Sequence, residues 1–101
     1  MRIGTTPTHT FEMPTTMVGN IKSVEIIYSQ KNKIVLRKST EDITINDNIV
    51  SVTLSQLETF KFADGVNVEI QVRVLDNGGN AFASNIMCVS CDRCLTDEVL
   101  T

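Results

Sequence analysis

The sequence predicts an all-β protein, an immunoglobulin-like antiparallel β-sandwich of about seven strands with one short helical turn. Residues 66–74 alternate strictly between β-branched and polar residues, which is the pattern of a half-buried strand. Val, Ile and Thr are abundant, whereas Trp is absent and no Ala-rich helical window occurs. Turn residues also recur at intervals of roughly 8–12 residues, a spacing typical of sandwiches.

The length and charge of the chain limit the classes of protein it can belong to. We expect one domain spanning residues 1–101, large enough to bury roughly two-thirds of the unfolded chain's surface. The net charge of −3 gives no basic surface for nucleic acid, so no nucleic-acid partner is expected. The basic residues that do cluster share one predicted hairpin, where they would protect a strand edge: Lys31, Lys33, Arg37 and Lys38.

Neither a signal peptide nor a membrane helix is predicted. Residues 1–5 carry no apolar stretch of the kind that signal peptides have. No window approaches the roughly 20 apolar residues of a membrane-spanning helix. We therefore expect synthesis in a cytoplasm and no insertion into a membrane.

The first predicted strand lies at residues 5–14, and residues 15–20 form a loop after it. Pro7 and Pro14 lack a backbone N–H, so we expect this strand at the edge of a sheet. Phe11 is its expected anchor in the core.

A hairpin is predicted at residues 21–38. Its first strand covers residues 21–30, and its second centres on residues 34–36, with a polar turn at 30–32 between them. One face of the first strand is apolar and is expected in the core: Val24, Ile26 and Tyr28.

Two shorter strands follow a polar turn at residues 39–42. The first contains Ile43 and Ile45 and ends at the turn residues 46–48, because Asn and Asp tolerate left-handed backbone. The second covers residues 49–54, in which apolar and polar residues alternate again.

The short helical turn is predicted after residue 54. Ser55 and Glu58 match a capping box, with Ser55 as the N-cap and Glu58 three residues later. The apolar run that follows is too short for a full helix. We expect Leu57, Phe60 and Phe62 to pack inward from this turn.

The longest hairpin is predicted to join residues 66–75 to residues 80–92 through a two-residue turn at Asn77-Gly78. That turn places Val74 opposite Ala81, Val72 opposite Ala83, Ile70 opposite Asn85, Val68 opposite Met87 and Val66 opposite Val89. Asn85 would then be a misfit on the inner face and mark a bulge. A three-residue loop would reverse the faces of the second arm and place different residues inside: Phe82, Ser84, Ile86 and Cys88.

The three cysteines follow a C-x2-C-x2-C spacing, which raises the possibility of a zinc or iron–sulfur site at Cys88, Cys91 and Cys94. A fourth ligand is missing, since the single histidine, His9, is far away in the sequence. Residues three apart in a straight strand also point to opposite faces. We therefore interpret the cysteines as packing residues and predict no metal, no cofactor and no disulfide.

His9 is the remaining catalytic candidate. A catalytic histidine needs an orienting acid and a nucleophile beside it, and no motif of that kind surrounds His9. We interpret it as a solvated strand residue and predict no catalytic residues.

Several polar groups are interpreted as ordinary turns or surface contacts. Glu41-Asp42, Asp47 and Asp97-Glu98 lack the spacing of a calcium loop. The run 76–80 lacks the helix and lysine of a phosphate-binding loop, so it is a hairpin turn. Arg73, placed opposite Phe82, is a candidate for a cation–π pair on the outer face.

The chain also resembles a group of small proteins encoded in phage and prophage gene clusters of gut Firmicutes. The similar segments span most of the sequence: 4–11, 54–56 with 58–59, 68–74, 83–84, 92–93 and 97–100. The resemblance implies a virion-associated or tail-region structural protein of β-sandwich type, made in a bacterial cytoplasm and carried in the virion. It implies no catalytic residues. The cysteines do not look like part of the shared pattern.

The sequence favours a non-enzymatic assembly module that binds other structural subunits, including copies of itself in a homo-oligomer or larger assembly. Exposed strand edges and the tail 95–101 would make these contacts. The alternative is a ligand- or host-surface-binding module for carbohydrate, which needs exposed aromatic rings. The chain has one Tyr and four Phe, and the core needs most of them. A small metal or redox protein rests on the cysteines alone.

Overall fold

A computed structural model describes all residues of the chain, 1–101, as two antiparallel sheets packed face to face. The strands are β1 (Thr8–Glu12), β2 (Ile21–Gln30), β3 (Lys33–Ser39), β4 (Thr44–Asn46), β5 (Ile49–Thr53), β6 (Val68–Asp76), β7 (Ala81–Ala83) and β8 (Met87–Val89). One helical turn, α1 (Gln56–Thr59), and two 3-10 turns, Thr15–Met17 and Thr40–Asp42, connect them. The prediction of an all-β sandwich with one short helical turn is confirmed.

The strand order matches that of immunoglobulin domains. Sheet I has the order β1-β5-β4, and sheet II has the order β3-β2-β6, with both β7 and β8 pairing the far side of β6. These sheets correspond to strands B-E-D and C′-C-F-G of the immunoglobulin fold. No strand lies beside β1 where strand A would be.

The N-terminal segment lies against sheet II rather than beside β1. Arg2 forms a parallel bridge with Asp92, just beyond β8. The Ile3 amide donates to the Asp92 carbonyl at 3.0 Å, and the Asp92 amide donates to the Met1 carbonyl at 2.8 Å. This position leaves the outer edge of β1 without a neighbouring strand.

The core lies between the sheets and is built from alternate residues of the strands. The predicted inner faces of β2 and β6 are both buried, as the alternation of β-branched and polar residues requires. The edge position of β1 and the burial of Phe11 are confirmed as well. The core members are Ile3, Phe11, Met17, Val24, Ile26, Tyr28, Leu36, Ile43, Val50, Val52, Leu54, Phe62, Val68, Ile70, Val72, Val74 and Cys91.

The hairpin predicted at residues 21–38 forms, and the two shorter strands predicted after it also pair with each other. Lys31 and Asn32 connect β2 to β3 with φ angles of 50° and 62°, the left-handed pair that a tight two-residue turn uses. Asp47, with φ of 55°, lies between β4 and β5. Asp tolerates this conformation better than most residues, which is why the chain can reverse here without glycine.

The predicted capping box is present at α1. The Ser55 hydroxyl accepts from the Glu58 amide at 3.1 Å, and the Ser55 amide donates to Glu58 Oε1 at 2.8 Å. Phe62 is buried and Phe60 is half-buried, but the inward prediction for Leu57 is wrong, since Leu57 is 67% exposed. Thr59 lies inside instead, because two residues along a helix turn roughly 200° and bring Thr59 to the opposite face.

The favoured register of the long hairpin is wrong along its whole length, beginning at its turn. Asn77, Gly78 and Gly79 form a three-residue loop, so Val74 pairs with Phe82 instead of Ala81. The Asp76 amide donates to the Asn80 carbonyl at 2.9 Å, and Gly79 takes the left-handed conformation with φ of 83°. Gly79 carries no β-carbon, so the longer loop forms without strain.

The second arm is not one continuous strand. Residues 84–86 leave the ladder between β7 and β8, and the register shifts by one residue across this irregularity. Met87 therefore pairs with Ile70 instead of the predicted Val68, and Val89 pairs with Val68 instead of the predicted Val66. An irregularity was predicted at Asn85, and the strand is interrupted there. Before it, β7 has the register of the three-residue loop; after it, Met87 and Val89 of β8 pack against the core.

Candidate functional site

The three cysteines lie in different environments. Cys88 pairs with Glu69 in β8 and is exposed, whereas Cys91 is buried in the core. Cys94 is exposed beyond β8, and its Sγ and the Phe60 ring both lie close to Gly4. Burial raises the pKa of the Cys91 thiol. Cys91 thus packs as a small apolar residue, while the other two thiols face solvent.

No group of three or more His, Cys, Asp or Glu side chains in the structure is arranged to hold a metal ion. Glu41, Asp42 and Asp47 are exposed in turns, as predicted, and Asp97 and Glu98 are exposed in the tail.

His9 does not have the solvated position predicted for it. It lies on the inner face of β1 with Phe11, and its Nδ1 is 2.7 Å from the Tyr28 hydroxyl. The two ring centroids are 5.6 Å apart, and the Tyr28 ring meets Phe62 edge-on at 5.9 Å. A buried phenol needs a polar partner, and His9 supplies one from the opposite sheet.

The direction of this hydrogen bond follows from burial. Tyr28 is fully buried and its hydroxyl proton needs an acceptor, so the phenol donates to His9 Nδ1. Burial raises the pKa of Tyr28 and lowers the pKa of His9, so both groups are neutral near pH 7. A neutral phenol bound to a neutral imidazole links the two sheets.

Lys38 differs from the other members of the basic cluster predicted on the β2–β3 hairpin, because its side chain is mostly buried and forms a salt bridge. Its Nζ lies 2.7 Å from Glu58 Oε2, and the two side chains are only 12% and 21% exposed. Burial pushes the pKa of Glu58 up, but the hydrogen bonds from Lys38 and Ser55 outweigh burial and lower it. The pair joins β3 to α1 across the sandwich.

The predicted cation–π pair between Arg73 and Phe82 is wrong. Arg73 pairs with Ala83, and Phe82 lies on the other face of the sheet because the loop is one residue longer than expected. An Arg73 nitrogen lies 3.7 Å from Glu25, which also lies 3.6 Å from Arg37. These exposed pairs cross three strands of the outer face and contribute little to stability.

The predicted turn at residues 76–80 is confirmed. The Asp76 carboxylate accepts hydrogen bonds from the Asn80 amide at 2.8 Å and from the Asn80 side chain at 3.3 Å. Its pKa is lowered by these bonds to Asn80 and by the amides of Gly78 and Gly79. Asp76 uses its oxygens to hold the loop closed.

The candidate functional site is the open side of the sandwich, by which we mean the free edge of β1 together with a cleft beside it. The cleft has a volume of about 260 Å³ and lies between the end of β1 and the edge of sheet II. Its wall includes Phe82, which faces the interior and remains 46% exposed. The other lining residues are Glu12, Met13, Pro14, Met17, Val72, Val74, Ala83 and Ser84.

Sequence reasoning located β1 at an edge but missed the cleft. The cleft depends on Phe82 facing inward, and the favoured hairpin register turned Phe82 outward. The alternative with a three-residue hairpin loop did place Phe82 inside, so it was the sequence feature that pointed to the cleft.

No protein-family model, curated protein or solved structure matches the chain. The structure contains no helix that is both long and apolar enough to cross a membrane. The class of protein that fold and site define is an immunoglobulin-like sandwich with one open side.

Proposed function

We propose that the protein is a non-enzymatic structural or assembly module of a phage or prophage virion, in its tail or capsid region. It acts through contacts with other structural subunits, including copies of itself. The observation that carries this proposal is the open side, where an unpaired strand edge lies next to an apolar cleft.

An unpaired strand edge favours a polypeptide as the partner. Its N–H and C=O groups alternate along the strand, and another extended chain satisfies them as a set. The cleft, at about 260 Å³, is smaller than the roughly 300–1,000 Å³ typical of small-molecule sites. It suits one or two apolar side chains of a docked subunit.

The tail presents a second apolar surface. Leu95 is 91% exposed and Leu100 is 82% exposed. The Gln56 side chain donates to the Leu100 carbonyl at 3.0 Å and accepts from the Leu100 amide at 2.8 Å. The backbone of the tail is thus held on α1 while its leucines face outward, which supports contact with another subunit.

The alternative function, a carbohydrate- or host-surface-binding module, gains no specific support from the geometry. Sugar binding of the expected kind uses several exposed aromatic rings, but Phe11, Tyr28 and Phe62 lie in the core, Phe60 is half-buried and Phe82, at 46%, is the one exposed ring.

The proposal is tested by quantitative mass spectrometry of density-purified phage particles from a bacterium that carries the sequence. We expect the protein at a fixed copy number relative to the major virion proteins. Native mass spectrometry of the purified protein, with and without chelator and reductant, should give a metal-free mass that neither reagent changes. Absence from particles would overturn the virion assignment, and a chelator-sensitive zinc increment would redirect attention to Cys88–Cys94.

A further inference from the structure

The backbone of β1 offers one face of hydrogen-bonding groups to solvent. The Leu54 amide donates to the Pro7 carbonyl at 2.9 Å, and the Met13 amide donates to the Asn48 carbonyl at 2.7 Å. Backbone groups alternate in direction along a strand, so the odd-numbered residues of β1 bond to β5. The N–H and C=O groups of Thr8, Thr10 and Glu12 therefore point away from the sheet.

The other outer edges differ from that of β1. The edge of β3 carries exposed Lys33 and Arg37, and basic residues of this kind discourage pairing. The N-terminal segment pairs only at Asp92, beyond β8, and the strands β4, β7 and β8 have three residues each. β1 has five residues and no Lys or Arg, so it is the long edge without this protection.

We propose that β1 pairs antiparallel with β1 of a second copy, about a twofold axis that passes through Thr10. This inference rests on the proposed assembly function and names its surface and its partner. The pairing joins the three-stranded sheet I of each copy into one continuous sheet. Strand edges that pair with themselves form a closed, isologous interface, which is the commonest kind in homodimers.

The side chains of the paired strands are compatible. Thr10 lies opposite Thr10 of the second copy, and Thr8 lies opposite its Glu12, so no like charges face each other directly. Cross-strand Thr–Thr pairs are favourable. The two Glu12 carboxylates are separated by four residues, roughly 14 Å at about 3.4 Å per residue, which exceeds the screening length of about 8 Å in physiological salt.

The same pairing covers the mouth of the cleft. Met13 lines the cleft, and the antiparallel register places Pro7 of the second copy opposite it. On the inner face, Phe11 lies opposite His9 of the second copy, which extends the aromatic layer of the core across the interface. The second copy then covers the apolar wall of the cleft where it would otherwise face solvent.

The test compares two proline variants by analytical ultracentrifugation and native mass spectrometry. In Thr10→Pro, the amide that is lost points to solvent, so the β1–β5 ladder keeps all its bonds. Ile45→Pro is the matched control, because residues 44 and 46 of β4 bond to β5 and the Ile45 amide points to the opposite free edge of sheet I. Both variants carry one proline on an edge strand.

We expect the parent protein and Ile45→Pro to form dimers of twice the 11.2 kDa chain mass. Thr10→Pro removes two symmetric hydrogen bonds and should weaken the dimer at least about tenfold. A monomeric parent, or a dimer that both variants retain equally, would overturn the inference.

Amide hydrogen exchange of the unmodified protein gives a second measurement that does not depend on either variant folding. The amides of Thr8, Thr10 and Glu12 should become more protected as protein concentration rises, whereas the Ile45 amide should not change. If these amides exchange freely while the protein is found in purified particles, the β1 interface is wrong and the assembly function stands. If the protein is absent from particles but these amides are protected, the dimer stands without the virion role.

Discussion

The phenol of Tyr28 and the imidazole of His9 join the two sheets through a hydrogen bond of 2.7 Å. Tyr28 belongs to β2 in sheet II, and His9 belongs to β1 in sheet I. The bond therefore holds the open-edge strand against the larger sheet. It also sets the position of the free edge, because His9 and that edge belong to the same strand, β1.

Tyr28→Phe should lower the free energy of unfolding by about 1 kcal/mol, since it removes one hydrogen bond and leaves His9 Nδ1 half-buried without a donor. Urea unfolding of the purified variant measures the change. A double-mutant cycle with His9→Phe isolates the pair: the loss caused by Tyr28→Phe should shrink when His9 is already replaced. Equal losses in both backgrounds would contradict a direct His9–Tyr28 interaction.

Acid should destabilise the protein in two steps, the upper of which belongs to His9. Burial, and then the nearby N-terminal amine, lower the pKa of His9 from its ordinary value of 6.5. The unfolded chain then binds the proton more readily, so stability is complete above 6.5 and declines as pH falls toward the folded pKa. The lowered pKa values of Glu58 and Asp76 add a second decline below their ordinary values of 4.5 and 3.8.

Urea unfolding at a series of pH values tests this assignment. The chain has a single histidine, so His9→Gln should remove the upper step and leave the lower one. An upper step that persists in His9→Gln would show that another group causes it.

Much of the fold could be predicted because its signals are local. The alternation in β6 and the capping box at Ser55 depend on neighbouring residues, and both appear in the structure. The length of the loop after Asp76 could not be predicted from neighbouring residues alone. Asn77-Gly78 suits a two-residue turn, but the Asp76–Asn80 bonds and the left-handed Gly79 favour the longer one.

The inward positions of His9 and Thr59 were harder to predict because they involve long-range contacts. The inward position of His9 requires Tyr28, which lies 19 residues away on the other sheet. The inward-facing Thr59 hydroxyl accepts a hydrogen bond at 2.9 Å from the Gly4 amide, 55 residues away. Neither partner is adjacent in sequence, and a polar residue next to an apolar one is normally assigned to solvent.

Gln30→Ala should destabilise the protein by about 2–3 kcal/mol, because it leaves three backbone groups without a partner. The buried Gln30 side chain donates to the Ala63 and Val66 carbonyls at 2.8 and 3.0 Å, and it accepts from the Ala63 amide at 2.8 Å. These bonds fix the approach of the chain to β6. Thermal and urea unfolding provide the measurement.

Gln71→Ala is the matched control for Gln30→Ala. Gln71 is half-buried and makes one side-chain bond, to the Ser84 carbonyl at 2.9 Å, so its loss should cost less than about 1 kcal/mol. Similar losses of unfolding free energy in the two variants would mean that the Gln30 hydrogen bonds do not hold the segment from Ala63 to Val66 in place.

The thiols should divide into two that react in the folded protein and one that reacts after unfolding. Cys88 and Cys94 are exposed, whereas Cys91 is buried and its pKa is raised, so little thiolate is available there. Labelling with a maleimide, followed by peptide mass spectrometry, gives the rate at each site. Cys91→Ser provides the control, because it should remove the slow reaction and leave both fast ones unchanged. Fast labelling of Cys91 in the folded parent would contradict its position in the core, and it would place the segment after β8 outside the sandwich.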